Sequence, residues 1–335
     1  MWRLLLAVAL LCPDSEGLLS CKNEAGAAVD WYILYKRPNS YDFYYIDPSM
    51  NNGFESGSKP INHQSGVLAN TLDPIFAPTP TCGYAGYNDQ PPVGYARTGC
   101  GHSKGIVMVD DDNVVWLLHS TPRFPFSKHS NNFFPTTGMA KAQTFICVTF
   151  PNGELKKIEQ HLRLISANIF EYANEDKFSV DIVNFYNVWI PEDELNQKTQ
   201  LYQDLKSDGN QLFKGFFKKI SSGAADGDLY VAIANAVNSN VFAQTWGCQR
   251  GRCGSYCPLT GPKVFNSESI TFSSTVEWKC GSDHSKWCVS ENDWVCVGDS
   301  NRSETQFKRP GGALCLQHSV TKAAFRSVIS GFEDC

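Results

Sequence analysis

The chain lacks several features that would place it in a class at once. After its first residues, no segment approaches the roughly 18 uninterrupted apolar residues of a membrane-spanning helix. Positive charge is not in excess: 29 Lys and Arg face 34 Asp and Glu, a net charge of −5. The total therefore offers no standing attraction for a polyanion at neutral pH. No histidine neighbours Cys248, Cys253 and Cys257, so their loose spacing makes a poor zinc site. Highly charged tracts are also missing, and 42% hydrophobic with 19% charged residues reads as globular. Asparagine sequons are scarce, with Asn301-Arg302-Ser303 the single Asn-x-Ser/Thr site.

The chain opens with Met1-Trp2-Arg3, an apolar run over 4–11 and the small residues of Ser15-Glu16-Gly17, the shape of a secretory signal. Residues 1–17 are expected to leave as a signal peptide. Cys12 would go with them, and the remaining twelve of thirteen cysteines form an even set suited to disulfides. A lysosomal or secreted location follows as the expectation. Loss of Arg3, Asp14 and Glu16 leaves a charge of −4, and protonating all seven histidines would bring it to +3. Most imidazoles, with an unperturbed pKa of about 6.5, are protonated at about pH 5. Acid thus favours an anionic substrate.

A length of 335 residues suits one or two domains. A repeat suggests how they divide: His-Ser-Lys occurs at 102–104 and again at 284–286. Lobes at 18–155 and 156–335 would each carry one copy. Residues 29–35, 41–46, 84–87 and 143–150 read as strands. Each His-Ser-Lys enters a strand-turn-strand pattern, 106–118 around Asp110-Asp111-Asp112-Asn113 and 287–297 around Glu291-Asn292-Asp293. The Asp run reads as a solvated turn rather than a metal site. Residues 194–205, 211–220 and 228–237 read as helices, as does 321–329 with Thr321 as its cap. Residues 247–262 form a Gly- and Cys-rich stapled loop. The fold class is α/β.

The two hairpins align by hand. His119 follows His102 by seventeen residues, and Asn301 follows His284 by the same interval. In a strand, residues two apart share a face, so His102 and Lys104 point together, as do His284 and Lys286. Such a pair of clusters suits phosphodiester chemistry without a metal or other cofactor. Lysines neutralise phosphate oxygens, one neutral imidazole attacks phosphorus, and an imidazolium protonates the leaving oxygen. His63, His129, His161 and His318 have no comparable neighbours and are expected at the surface.

With Val29-Asp30-Trp31, Tyr87-Asn88-Asp89-Gln90-Pro91-Pro92, Gly101-His102-Ser103-Lys104-Gly105, Trp116-Leu117-Leu118-His119-Ser120 and residues 283–288, the chain resembles the deoxyribonuclease II family. Trp294-Val295-Cys296-Val297-Gly298-Asp299 and Gly311-Gly312-Ala313-Leu314-Cys315 extend the match. That family is similar to the phospholipase D superfamily, whose His-x-Lys pattern often continues to an acidic residue and Gly-Ser-x-Asn. Gly298-Asp299-Ser300-Asn301 fits the last element with Asp299 in place of Ser. Val109 stands at the first acidic position and Glu291 at the second.

The resemblance implies two pseudo-symmetric lobes, each a mixed sheet flanked by helices, sharing one active site. It implies an acid, divalent-metal-independent endonuclease that leaves 3′-phosphate and 5′-hydroxyl ends on double-stranded DNA with little sequence preference. His102, His119 and His284 would be the essential histidines, and Lys104 and Lys286 would bind phosphate, with Asn301 added to the phosphate site by the matched spacing of the hairpins. It also implies disulfides Cys21–Cys147, Cys257–Cys335 and Cys296–Cys315. Cys82, Cys100, Cys248, Cys253, Cys280 and Cys288 are left to pair most simply between sequence neighbours. A homodimer stays open. Rival readings are a lipid phosphodiesterase, with Phe124, Phe126, Phe133 and Phe134 against acyl chains, and a non-catalytic DNA binder. A glycan on Asn301 would obstruct the phosphate site, so this residue is expected to be bare.

Overall fold

A computed structural model describes residues 19–126, 133–178 and 190–335. The expected signal peptide and His129 lie outside the described residues. A ribbon of β1 (Cys21–Lys22) and β2 (Ala28–Val29) precedes two large sheets. The first contains β3 (Trp31–Lys36), β4 (Phe43–Ile46), β5 (Glu55–Ser56), β6 (Gly83–Asn88), β7 (Lys104–Val109), β8 (Asn113–His119), β9 (Gln143–Pro151) and β10 (Ile169–Ala173). Their spatial order is β10-β6-β7-β8-β9-β3-β4-β5.

The second sheet contains β11 (Tyr202–Lys206), β12 (Leu212–Phe217), β13 (Val241–Gln244), β14 (Val264–Ser273), β15 (Val276–Lys279), β16 (Trp287–Ser290), β17 (Trp294–Gly298), β18 (Gly312–Gln317) and β19 (Ile329–Glu333). Its order is β11-β12-β18-β17-β16-β13-β14-β15, with β19 also on β14. Helices Val67–Phe76, Leu155–Leu164, Leu229–Val237 and Ser319–Ser327 accompany the sheets.

The α/β expectation and both His-Ser-Lys hairpins hold. Each hairpin occupies the same setting: β6-β7-β8-β9 in one lobe and β13-β16-β17-β18 in the other, antiparallel throughout. The first sheet is antiparallel across every pair rather than mixed, and the second has one parallel pair, β13 with β14. Edge strand β10 joins the first sheet from beyond residue 155.

The lobes share one core. Ile33, Trp116 and Val148 of the first sheet lie in the same apolar cluster as Val289, Val297 and Leu314 of the second. Strands buried on both faces read as continuous apolar runs, which explains one wrong helix. Residues 211–220 contain no helix but strand β12 at Leu212–Phe217, with Phe213 and Phe217 entering the shared core and Phe216 a separate cluster. Residues 194–205 split into a single helical turn, Glu192–Asn196, and strand β11. The helix at 228–237 forms as expected, with Asp228 as its cap accepting from Tyr230 N at 2.9 Å. The last helix starts before Thr321, and His318 Nδ1 is its cap, accepting from Thr321 N at 3.3 Å.

Cys21 joins Cys147, Cys257 joins Cys335, and Cys296 joins Cys315. Pairing of the other six between sequence neighbours does not occur. Cys248 bridges 32 residues to Cys280, and Cys82, Cys100, Cys253 and Cys288 are free thiols. Cys288 faces Cys296 in the sheet register, but Cys296 is already engaged with Cys315 on its other side. His161 is a further correction: it is wholly buried on the inner face of its helix, whereas His63 is exposed. Phe124, Phe133 and Phe134 are buried and pack on one another, so they simply fill the core.

Candidate active site

The pleat puts Ser103 and Ser285 on the inward face of their segments, both wholly buried. Histidine and lysine of each copy take the other face. Backbone bonds from the opposite lobe hold both copies in place. His102 N donates to Pro310 O at 2.9 Å, and His284 N donates to Ala142 O at 3.0 Å. Gly101 is required by closeness: a Cβ there would overlap the carbonyl oxygen of Ile165. Arg309 of the second lobe adds donors to the carbonyls of Cys100, at 3.0 Å, and Gly101, at 3.2 Å.

Electrostatics tie the two copies together. Burial, then Lys104 and, among others, Lys286 of the other lobe, push the His102 imidazole down to about 3. Burial, Lys286, Lys141 and Lys104 push His284 down to about 3. Burial and Lys104 lower Lys286 to about 7. In each histidine burial acts first, and the lysine of the other copy adds to it across the lobe boundary. Lys286 Nζ donates to the His284 carbonyl.

His119 is set opposite Lys104 by continuing the register of Gly105 with Leu118. It is fully buried between Phe124, at 4.8 Å edge-on, and Phe145, at 5.6 Å stacked. Nδ1 accepts from Thr121 N at 3.2 Å, so a neutral ring carries its proton on Nε2, which has no partner. Burial above all, with Lys104, drives its pKa well down. Asn301 is not its counterpart. The shorter second hairpin sets Gly298 opposite Lys286, with Gly298 N donating to Lys286 O at 2.8 Å. Asn301 lies past the end of β17, and its Oδ1 accepts from Trp246 N at 3.4 Å.

Neither residue at the expected acidic positions reaches a histidine. Val109 is buried in β7, and Glu291 sits in the far turn, where it accepts from Asn240 at 3.0 Å. The missing carboxylate is Asp89. It pairs with Lys104, lies 3.9 Å from His102 Nε2 and 3.4 Å from Arg309. Burial acts to raise its carboxyl, but Lys104, His102 and Arg309 outweigh that and hold it well below the usual range. Asp89 follows β6 and meets the first copy only because β6 pairs with β7. Its presence in Asn88-Asp89-Gln90 was the available signal.

Two more carboxyls are buried nearby. Asp283 accepts from Tyr35 at 2.5 Å, Trp278 Nε1 at 2.7 Å and Ser285 N at 2.8 Å, an anchor for the segment that carries His284. Asp299 accepts from Gly312 N at 2.9 Å, and burial pushes its carboxyl up to about 7. Among the described residues no group of three His, Cys, Asp or Glu side chains is placed to hold a metal ion. No helix among them is long and apolar enough to cross a membrane.

A family model described as Deoxyribonuclease II matches residues 20–335. Deoxyribonuclease-2-alpha of Sus scrofa is 31% identical over 99% of this chain and 94% of its own length. Deoxyribonuclease-2-beta of Homo sapiens is 28% identical over 99% of this chain and 96% of its own. Plancitoxin-1 of Acanthaster planci is 29% identical over the same shares, 99% and 96%. With a match along essentially the whole chain and both His-Ser-Lys copies in one setting, the chain belongs to the deoxyribonuclease II family.

Proposed function

We propose that this chain is an acid endonuclease that cuts DNA phosphodiesters without a divalent metal, leaving 3′-phosphate and 5′-hydroxyl ends. The observation that supports the reading is the pair of His-x-Lys copies, each held by a backbone bond from the other lobe, with histidines lowered first by burial and then by lysines of both copies. Neutral His102 attacks phosphorus as the P–O5′ bond breaks, and imidazolium His284 gives its proton to the departing 5′ oxygen. Water, deprotonated by the now neutral His284, then attacks the phosphohistidine, breaking P–N and releasing the 3′-phosphate. Lys104, Lys286 and, with its side-chain amide, Asn301 hold the phosphate oxygens.

Acid dependence follows from the same groups. A general acid whose pKa is about 3 is protonated roughly tenfold more for each unit the pH falls above that value. Lys286, lowered to about 7, becomes fully charged over the same descent, and Asp299, raised to about 7, becomes neutral. Both changes make the site more positive. Contacts through phosphate give little sequence preference. The disulfides fit a lysosomal or secreted setting reached by a signal peptide at 1–17.

The test is plasmid cleavage at about pH 5 in EDTA by wild type, His102→Ala and His284→Ala. Nicking by wild type and its loss in both variants is expected. A folded wild type that binds DNA without nicking would overturn the reading in favour of a binder, and turnover of a phospholipid in its place would point to a lipid phosphodiesterase.

A further inference from the structure

The two lobes match closely enough to compare position by position, and one position differs in a chemically informative way. In the first lobe Asn88 pairs with Lys104, and Asp89 N then donates to Ser103 O at 3.1 Å. In the second, Gln244 and Trp287 are the last pair of β13 with β16; counting on two residues brings Trp246 level with Ser285, although its backbone N–H turns to Asn301 Oδ1. Asp89 and Trp246 therefore hold equivalent places beside the middle residue of each His-Ser-Lys. Asp89 reaches His102, with 3.9 Å between Oδ2 and Nε2. Trp246 reaches His284, with ring centroids 4.3 Å apart at an interplanar angle of 56°.

We propose that Trp246 is a positioning residue for His284, fixing its imidazole from the place where the first lobe uses Asp89. The inference rests on the reading of His284 as a catalytic group. Three features support it. The indole covers one side of an imidazole whose Nε2 is buried and has no protein partner, so ring orientation is not set by a hydrogen bond there. The backbone that carries the indole is tied to Asn301, whose Oδ1 accepts the main-chain N–H of Trp246 at 3.4 Å. That bond gives Asn301 a second task besides its amide's service to phosphate. Finally, Asp283, the nearest carboxylate in sequence, is turned away to Tyr35, Trp278 and Ser285 N.

The consequence is a division of labour. A carboxylate beside His102 steadies positive charge as its nitrogen forms a bond to phosphorus. An apolar wall beside His284 keeps water off a proton meant for the leaving oxygen. The charged groups acting on His284 are Lys286 from its own strand, Lys141 from the segment before β9, and Lys104 from the other lobe. Burial outranks all three, and Trp246 supplies part of that burial.

Trp246→Ala, Trp246→Leu and Trp246→Phe separate the possibilities. Trp246→Ala should lower kcat on DNA by about 10- to 100-fold with KM within about twofold, the scale of a misplaced reacting group. Trp246→Phe, which retains an aromatic wall, should recover most of kcat. By NMR the His284 titration should move up in Trp246→Ala as water reaches the ring. The NMR measurement reads the action of Trp246 on His284 whether or not the chain cuts DNA, so its failure is distinct from failure of the nuclease reading. A folded Trp246→Ala with wild-type kcat and an unmoved His284 titration overturns the proposal. Should the alanine variant not fold, Trp246→Leu is read by the same two criteria.

Discussion

Replacing His161 with leucine tests how acid acts on the fold. The His161 ring is wholly buried, both nitrogens lack partners, and Trp116 lies edge-on at 5.1 Å. Gly215 and Gly312 make room for it: a Cβ on either would come within 3.0 Å of a ring nitrogen. Burial alone pushes its pKa down to about 3 from an ordinary 6.5. Between those values the unfolded chain binds the proton and the folded chain does not. The contribution to stability is thus intact above 6.5 and drains away as the pH falls toward 3. From pH 7 to pH 5 the loss is about 2 kcal/mol for this one residue, and about 4 kcal/mol by pH 3. His161→Leu removes the titration at similar volume. Urea unfolding of both proteins at pH 7 and pH 5 gives the difference between them at each pH. That difference should move in favour of the variant by about 2 kcal/mol on acidification, while losses from His102 and His284 cancel. An unchanged difference would refute the assignment of His161 as a neutral buried base.

Three further outcomes are expected. Lys104→Met, which leaves the buried Asp89 carboxylate to the 3.4 Å pairing with Arg309, should cost up to about 3 kcal/mol in denaturant unfolding, and adding Asp89→Asn should restore much of it. DNA cleavage at constant ionic strength should rise up to about tenfold per unit from pH 7 to pH 5, and a flat profile would remove imidazolium His284 from the mechanism. Intact mass of active protein should show no N-glycan, since Asn301 and Ser303 are buried and Arg302 between them pairs with Asp228 at 2.8 Å; an occupied sequon in fully active enzyme would refute this.

Much of the candidate site's geometry was legible because it is local. A His-Ser-Lys entering a hairpin carries its own geometry, since period-two alternation and a short turn decide what faces what. Asp89 and Trp246 were not legible for the opposite reason. Each arrives on a strand whose partner lies some 15 to 40 residues away, and strand order is not written in any one segment. The same limit misled the pairing of Asn301 with His119: equal spacing along the chain hid a difference in strand length. His161 was within reach. Leu155, Ile158 and Leu162 mark the inner stripe of its helix, and His161 falls on that stripe.

The shared core has a consequence for how substrate arrives. Side chains from both sheets belong to one continuous apolar cluster, so parting the halves like jaws would expose core that the described residues now bury. If the proposed nuclease seats a phosphate between Lys104 and Lys286, a core shared in this way leaves the bending or local opening to the nucleic acid, and flexible or single-stranded stretches should be cut ahead of stiff duplex.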